Sequence, residues 1–123
     1  EGLERVKNSF NSYPLGHLQI AAGIAAFEDK DYFNTTCDRI IKDREELSKD
    51  LKKLGFTVLP SAANFVFVHH AQHSAEAIAA YLRELGIIVR HFKQPRIKSF
   101  LRITVGTESQ NQELLSAVGE FLK

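Results

Sequence analysis

The sequence contains no methionine, and it opens on Glu1. Because a translated chain normally begins with methionine, we expect these 123 residues to be a piece of a longer protein, a removed tag or lost initiator being the alternative. Cysteine is nearly absent as well. The single Cys37 excludes an internal disulfide and suits a reducing cytoplasm.

Excess charge of one sign and long hydrophobic runs are also missing. The net charge of +1 excludes a general attraction to nucleic acid or to anionic membranes. No apolar run approaches the length of a membrane span. What is present, 44% hydrophobic and 25% charged residues, is typical of one globular domain.

Apolar periodicity and turn residues predict the order of elements after the break expected at Pro14. The predicted helices cover 15–27, 31–54, 75–85 and the segment after Thr107, and the predicted strands cover 56–59, 64–68, 87–90 and 101–105. This order predicts an α+β fold, a small, mainly antiparallel sheet with helices packed on one face. The other face must then meet solvent, a ligand or another domain.

The strand 101–105 carries an arginine in the middle of one face. Apolar residues alternate there with Arg102 and Thr104, so Arg102 is expected on the side that the helices leave uncovered. The same alternation over 87–90 places Arg90 on that side. Two guanidinium groups on neighbouring strands would form a clamp for one small anion, since each offers a planar fork to carboxylate or phosphate oxygens.

The surrounding sequence is locally basic. No acidic residue occurs between Glu84 and Glu108, an interval that contains Arg90, Lys93, Arg96, Lys98 and Arg102. The alternative to a clamp is a set of exposed basic residues paired with acids elsewhere, and the pattern alone leaves both interpretations open. Nucleic-acid binding is disfavoured, because no aromatic residues are expected to line an exposed sheet in an RNA-binding pattern, Phe92 and Phe100 being the only rings between the two arginines.

Other candidate residues give weaker signals. His69, His70 and His73 lie close in sequence, but no carboxylate or thiolate accompanies them, so we expect a polar strand end and no metal site. Cys37 lies on the apolar face of the long helix and is expected to be a buried thiol. No carboxylate pair and no phosphate-binding glycine loop is visible. The residues therefore indicate binding chemistry without catalytic machinery.

Five segments in order resemble one enzyme family: NSYPLGHLQIAAGIAAF, REELSKDLKKLG, PSAANFVFV, LGIIVR and LRITVGTESQNQELLSAV. Together they are similar to the C-terminal small domain of histidinol-phosphate aminotransferases, pyridoxal-phosphate enzymes with the aspartate aminotransferase fold. LRITVGT is the most specific of them. The resemblance implies a connector and small-residue helix over 1–28 and the aminotransferase small domain over 29–123.

The resemblance also implies roles for the two arginines. Arg90 and Arg102 would bind the anionic end of the substrate, either the phosphate of histidinol phosphate or the carboxylate of glutamate or 2-oxoglutarate. The pyridoxal phosphate and its Schiff-base lysine would belong to a large domain whose motifs are absent here, so the chain alone is expected to be inactive. The whole enzyme would be a cytoplasmic homodimer of histidine biosynthesis. The alternative is a free-standing anion- or amino-acid-binding regulatory module.

Overall fold

The computed structural model describes residues 1–9 and 15–123, so the break expected at Pro14 lies outside the described residues. The chain divides into two compact units, residues 1–35 and 36–123. The helices are α1 (Gly2–Asn8), α2 (His17–Glu28), α3 (Lys30–Lys53), α4 (Ala75–Glu84) and α5 (Glu108–Phe121). The strands are β1 (Phe56–Val58), β2 (Phe65–His70), β3 (Arg90–His91) and β4 (Leu101–Thr104).

In the first unit, the described residues, 1–9 and 15–35, form helices whose side chains are all exposed. Neither α1 nor α2 contains a buried residue, although α2 is rich in apolar side chains. Leu18 and Phe27, for example, are 82% and 80% exposed. No helix within the described residues combines the length and the apolarity that a membrane crossing needs.

The second unit contains a four-stranded sheet in the order β1-β2-β4-β3, with every neighbouring pair antiparallel. Alternate residues of β2 and β4 are buried, namely Val66 and Val68 on β2 and Leu101 and Ile103 on β4. These pairs lie opposite each other in the register, Val66 with Ile103 and Val68 with Leu101. The predicted α+β class and antiparallel sheet are therefore confirmed.

The helices of this unit bury their apolar faces in the same core. Leu47 and Leu51 of α3, Ile78 and Leu82 of α4, and Leu114 and Val118 of α5 are packed with the buried strand residues. The intervening strand residues point the other way and are half-buried or exposed. Helices 3 to 5 therefore cover one face of the sheet, and the second face, called the open face below, carries the remaining strand side chains.

Local signals fix the helix ends. The Ser74 hydroxyl accepts a hydrogen bond from the Ala77 amide at the start of α4. Thr107 and Gln110 form the predicted capping box at the start of α5, with each side chain accepting from the other residue's backbone amide. Gly55 and Gly86 follow α3 and α4 with φ of +87° and +80°, a conformation that glycine adopts without strain.

The strand predicted over 87–90 is mostly wrong, since only Arg90 and His91 pair with β4. The Ile87 amide donates to the Leu82 carbonyl at 2.8 Å and completes the end of α4 instead of joining the sheet. The predicted alternation of buried and exposed side chains is nevertheless present in this segment. Val89 is buried, whereas Ile88 is 68% exposed.

The buried face of α4 provides a test of the core. Leu82→Ala should lower the free energy of unfolding by about 2–5 kcal/mol, because Leu82 is fully buried in the core between the helices and the sheet. Leu85→Ala at the end of the same helix, where the side chain is 51% exposed, is the control and should cost much less. Urea denaturation measures both changes. Equal losses in the two variants would contradict the assigned core.

Candidate functional site

Arg90 and Arg102 lie directly opposite each other across the β3–β4 pair. Directly opposed residues of antiparallel strands have Cβ atoms about 4.5–5.5 Å apart and project from the same face. Arg102 is flanked on β4 by the buried Leu101 and Ile103, so both arginines project from the open face. The sequence predicts that the two side chains lie on one face of the sheet, and the strand register places them there.

This pair is electrostatically unusual. Like charges directly opposite each other in a sheet are destabilising. In the part of the chain that the structure describes, the ion pairs join other residues, and neither Arg90 nor Arg102 takes part in one. The positive charge of the pair is therefore available to an external anion.

Each guanidinium instead lies over a phenyl ring. The Arg90 Cζ is 5.3 Å from the centroid of the Phe92 ring, and the Arg102 Cζ is 5.3 Å from the centroid of the Phe65 ring. Both distances fall within the range of cation–π attraction. The rings thus hold both cations without neutralising them.

The open face carries several aromatic side chains. Phe65 and Phe67 alternate with buried valines along β2, which turns both rings outward. Phe67 stacks on Phe100 at 4.7 Å between centroids and meets the edge of Phe92 at 5.9 Å. Because these half-buried rings pack on one another, they differ from the free stacking platforms that bind single-stranded nucleic acid.

A groove of ≈ 750 Å³ runs along the β3 edge and brings the two arginines together with other charged side chains. Arg83 and Glu76 of α4 and Lys93 also line it. Four cationic side chains face one carboxylate there, so the groove favours an anionic ligand. Arg83 was missed by the sequence reasoning because it precedes Glu84, just outside the interval without acidic residues, and reaches the groove only through the packing of α4 against β3.

The remaining basic residues of the segment do not line this groove. Arg96 and Lys98 are exposed, and the Lys98 carbonyl lies 2.7 Å from His91 Nε2. The locally basic stretch therefore separates into three residues that line the groove, Arg90, Lys93 and Arg102, and two that face solvent.

The three histidines at the end of β2 do not form one cluster. The ring of His69 contacts Phe100 on the open face at 5.1 Å. His70 packs against Phe56, and its ring centroid is 4.8 Å from that of His73. Among the described residues no group of three or more His, Cys, Asp or Glu side chains could hold a metal ion.

Burial lowers the pKa of His70, and the nearby His73 adds to this effect. Nδ1 of His70 accepts a hydrogen bond from the Gln72 amide, which is compatible with a neutral ring. Cys37 is a free thiol, half-buried on α3, and so less enclosed than expected.

The sequence also matches a protein family over most of its length. The family model "Aminotransferase class I and II" matches residues 1–118, and the chain belongs to that family.

Individual relatives are similar over the whole chain. The chain is 63% identical over 123 residues to histidinol-phosphate aminotransferase 1 of Pseudomonas aeruginosa, covering 100% of this chain and 35% of that protein. It is 58% identical over 121 residues to histidinol-phosphate aminotransferase 1 of Pseudomonas fluorescens, covering 98% and 35%. The chain thus spans about a third of the length of these relatives.

A solved structure has the same fold. The histidinol-phosphate aminotransferase of Sinorhizobium meliloti, determined in complex with pyridoxal-5'-phosphate, matches with a TM-score of 0.84 and 26% identity. The match covers 97% of this chain and 33% of that one. An aminotransferase therefore contains this arrangement of sheet and helices.

The lowered pKa of His70 predicts a pH dependence of stability. Above pH 6.5 the imidazole is neutral in both states, but below it the unfolded chain takes up the proton first. The free energy of unfolding should therefore fall as the pH drops from 6.5 through the lower pKa of the folded state, and His70→Phe should reduce that fall.

Urea denaturation between pH 7.5 and 5 measures the slope, and NMR titration of the His70 ring is the direct control. A folded-state midpoint at or above 6.5 would contradict the prediction.

Proposed function

We propose that this chain is the C-terminal small domain of a histidinol-phosphate aminotransferase, with a connector over 1–28 and the small domain over 29–123. The family match and the 63% identity to one such enzyme support this proposal. The whole protein would move an amino group between histidinol phosphate and 2-oxoglutarate, with glutamate as the amino donor or product, in histidine biosynthesis. It would act as a cytoplasmic homodimer.

Within that enzyme, Arg90 and Arg102 would bind the anionic end of the substrate. The observation that carries this role is their position directly opposite each other, without an ion pair among the described residues, in one groove. An anion between two guanidiniums would relieve their mutual repulsion and accept charge-assisted hydrogen bonds from both. The hydrogen bonds to the anion and the relief of the repulsion between the two arginines would therefore both favour anion binding.

The same pair would serve both half-reactions. A transaminase must bind the two substrates in turn at one place, here a phosphate and a carboxylate. Both anions present oxygens at the spacing of the guanidinium fork, which does not depend on the rest of the ligand. Two forks on adjacent strands thus suit alternating anions better than a closed pocket shaped for one of them.

Pyridoxal phosphate itself does not fit the residues of this chain. A lysine that forms a Schiff base is activated by desolvation or by a neighbouring cation. Every lysine here is exposed, and Lys42, Lys53 and Lys123 lie beside carboxylates instead. The cofactor, which supplies the electron sink in such enzymes, would be bound by the remaining two thirds of the protein.

These 123 residues alone should be catalytically inert. The purified chain, mixed with pyridoxal phosphate, glutamate and a keto acceptor, is expected to give no transamination above the rate of free cofactor. The full-length parent in the same mixture is the positive control. A saturable rate from the chain would overturn the assignment of the catalytic groups to the rest of the protein.

Arg102→Ala in the full-length parent should cost at least about 2 kcal/mol in kcat/KM for histidinol phosphate, because it removes a charge-assisted contact. Arg96→Ala is the matched control, since Arg96 is exposed and does not line the groove. Steady-state kinetics measures both. If the two variants behave alike, Arg102 does not contact the substrate.

A further inference from the structure

The rings that hold the two arginines lie toward opposite ends of the strands. Phe65 is paired with Thr104, two residues beyond Arg102 on β4. Phe92 continues β3 in the other direction, past the pair of His91 with Leu101. Arg102 lies over Phe65, and Arg90 lies over Phe92. The two guanidiniums are therefore displaced in opposite directions along the strands.

A ring holds a guanidinium differently from a carboxylate. A carboxylate occupies the in-plane N–H donors and neutralises the charge. A ring face attracts the cation through its quadrupole and leaves the charge unneutralised and the donors free to bind an anion. An arginine held by a ring is therefore fixed in place while it remains able to bind a ligand.

We propose that Phe65 and Phe92 are positioning residues of the clamp, which set the separation of the two guanidiniums before the anion arrives. This inference rests on the proposed function of Arg90 and Arg102. By holding two rotamer-rich side chains in their binding positions, the rings reduce the ordering cost that the anion would otherwise meet. Their effect is specific to the charged end of a substrate.

The two rings differ in their surroundings, which determines the better test. Phe92 meets Phe67, and Phe67 stacks on Phe100, so a change at Phe92 also disturbs an aromatic cluster. Phe65 is half-buried, and among the described residues its ring takes part in no contact with another aromatic ring. Phe65→Leu therefore removes the ring face with the smaller change in packing.

The test uses the full-length holoenzyme and two substrates, histidinol phosphate and histidinol, which lacks the phosphate. Phe65→Leu should lower the ratio of kcat/KM for histidinol phosphate to kcat/KM for histidinol by roughly three- to tenfold, the range of one cation–π contact. Phe65→Tyr keeps the ring face and should restore the ratio. A purely structural loss would lower both kcat/KM values and leave their ratio unchanged.

An unchanged ratio in Phe65→Leu, or no recovery in Phe65→Tyr, would overturn the positioning role. Should Phe65→Leu fail to fold, Phe92→Leu must show the same fall in the ratio, and an unchanged ratio there overturns the role equally. Arg102→Ala separates the two proposals. If it leaves the ratio unchanged, the clamp itself is wrong, whereas a fall with Arg102→Ala and none with the ring variants rejects the positioning role alone.

Discussion

The antiparallel pairing of β3 with β4 places Arg90 opposite Arg102, and the rest of the site depends on this register. Leu101 and Ile103 on either side of Arg102 are 1% and 2% exposed in the core. A slip of one residue would exchange them with Arg102 and bury an unpaired charge, which costs several kcal/mol. The hydrophobic core therefore aims the arginines outward and holds them there.

The position of the pair at the sheet edge makes it accessible. β3 is short because the Ile87 amide completes the end of α4 instead of extending the ladder. The groove along this edge is consequently bordered by α4 as well as by the strands, and Arg83 and Glu76 reach it from the helix. The backbone geometry at the end of α4 thus helps to determine which charged side chains line the groove beside Arg90 and Arg102.

Part of this site could be predicted from sequence because it follows from local rules. Alternation along LRITV and IIVR is enough to place Arg102 and Arg90 on one face. The spacing of Thr107 and Gln110 likewise predicts their capping box. The contact of Phe65 with Arg102 depends on the register of β2 against β4, which no local pattern encodes. The contact of Phe92 with Arg90 joins residues two apart in sequence and depends on the rotamers of both side chains. The length of β3 was misjudged for a different reason, because the Ile87 amide donates to the Leu82 carbonyl in a local contact at the end of α4.

The proposed role of the open face requires that an anion binds between Arg90 and Arg102. The most direct measurement is a crystal structure of the full-length parent with histidinol phosphate bound. We expect oxygens of the phosphate to lie within about 2.7–2.9 Å of nitrogen atoms of both guanidiniums. A phosphate bound elsewhere, with both guanidiniums still facing solvent, would contradict the claim.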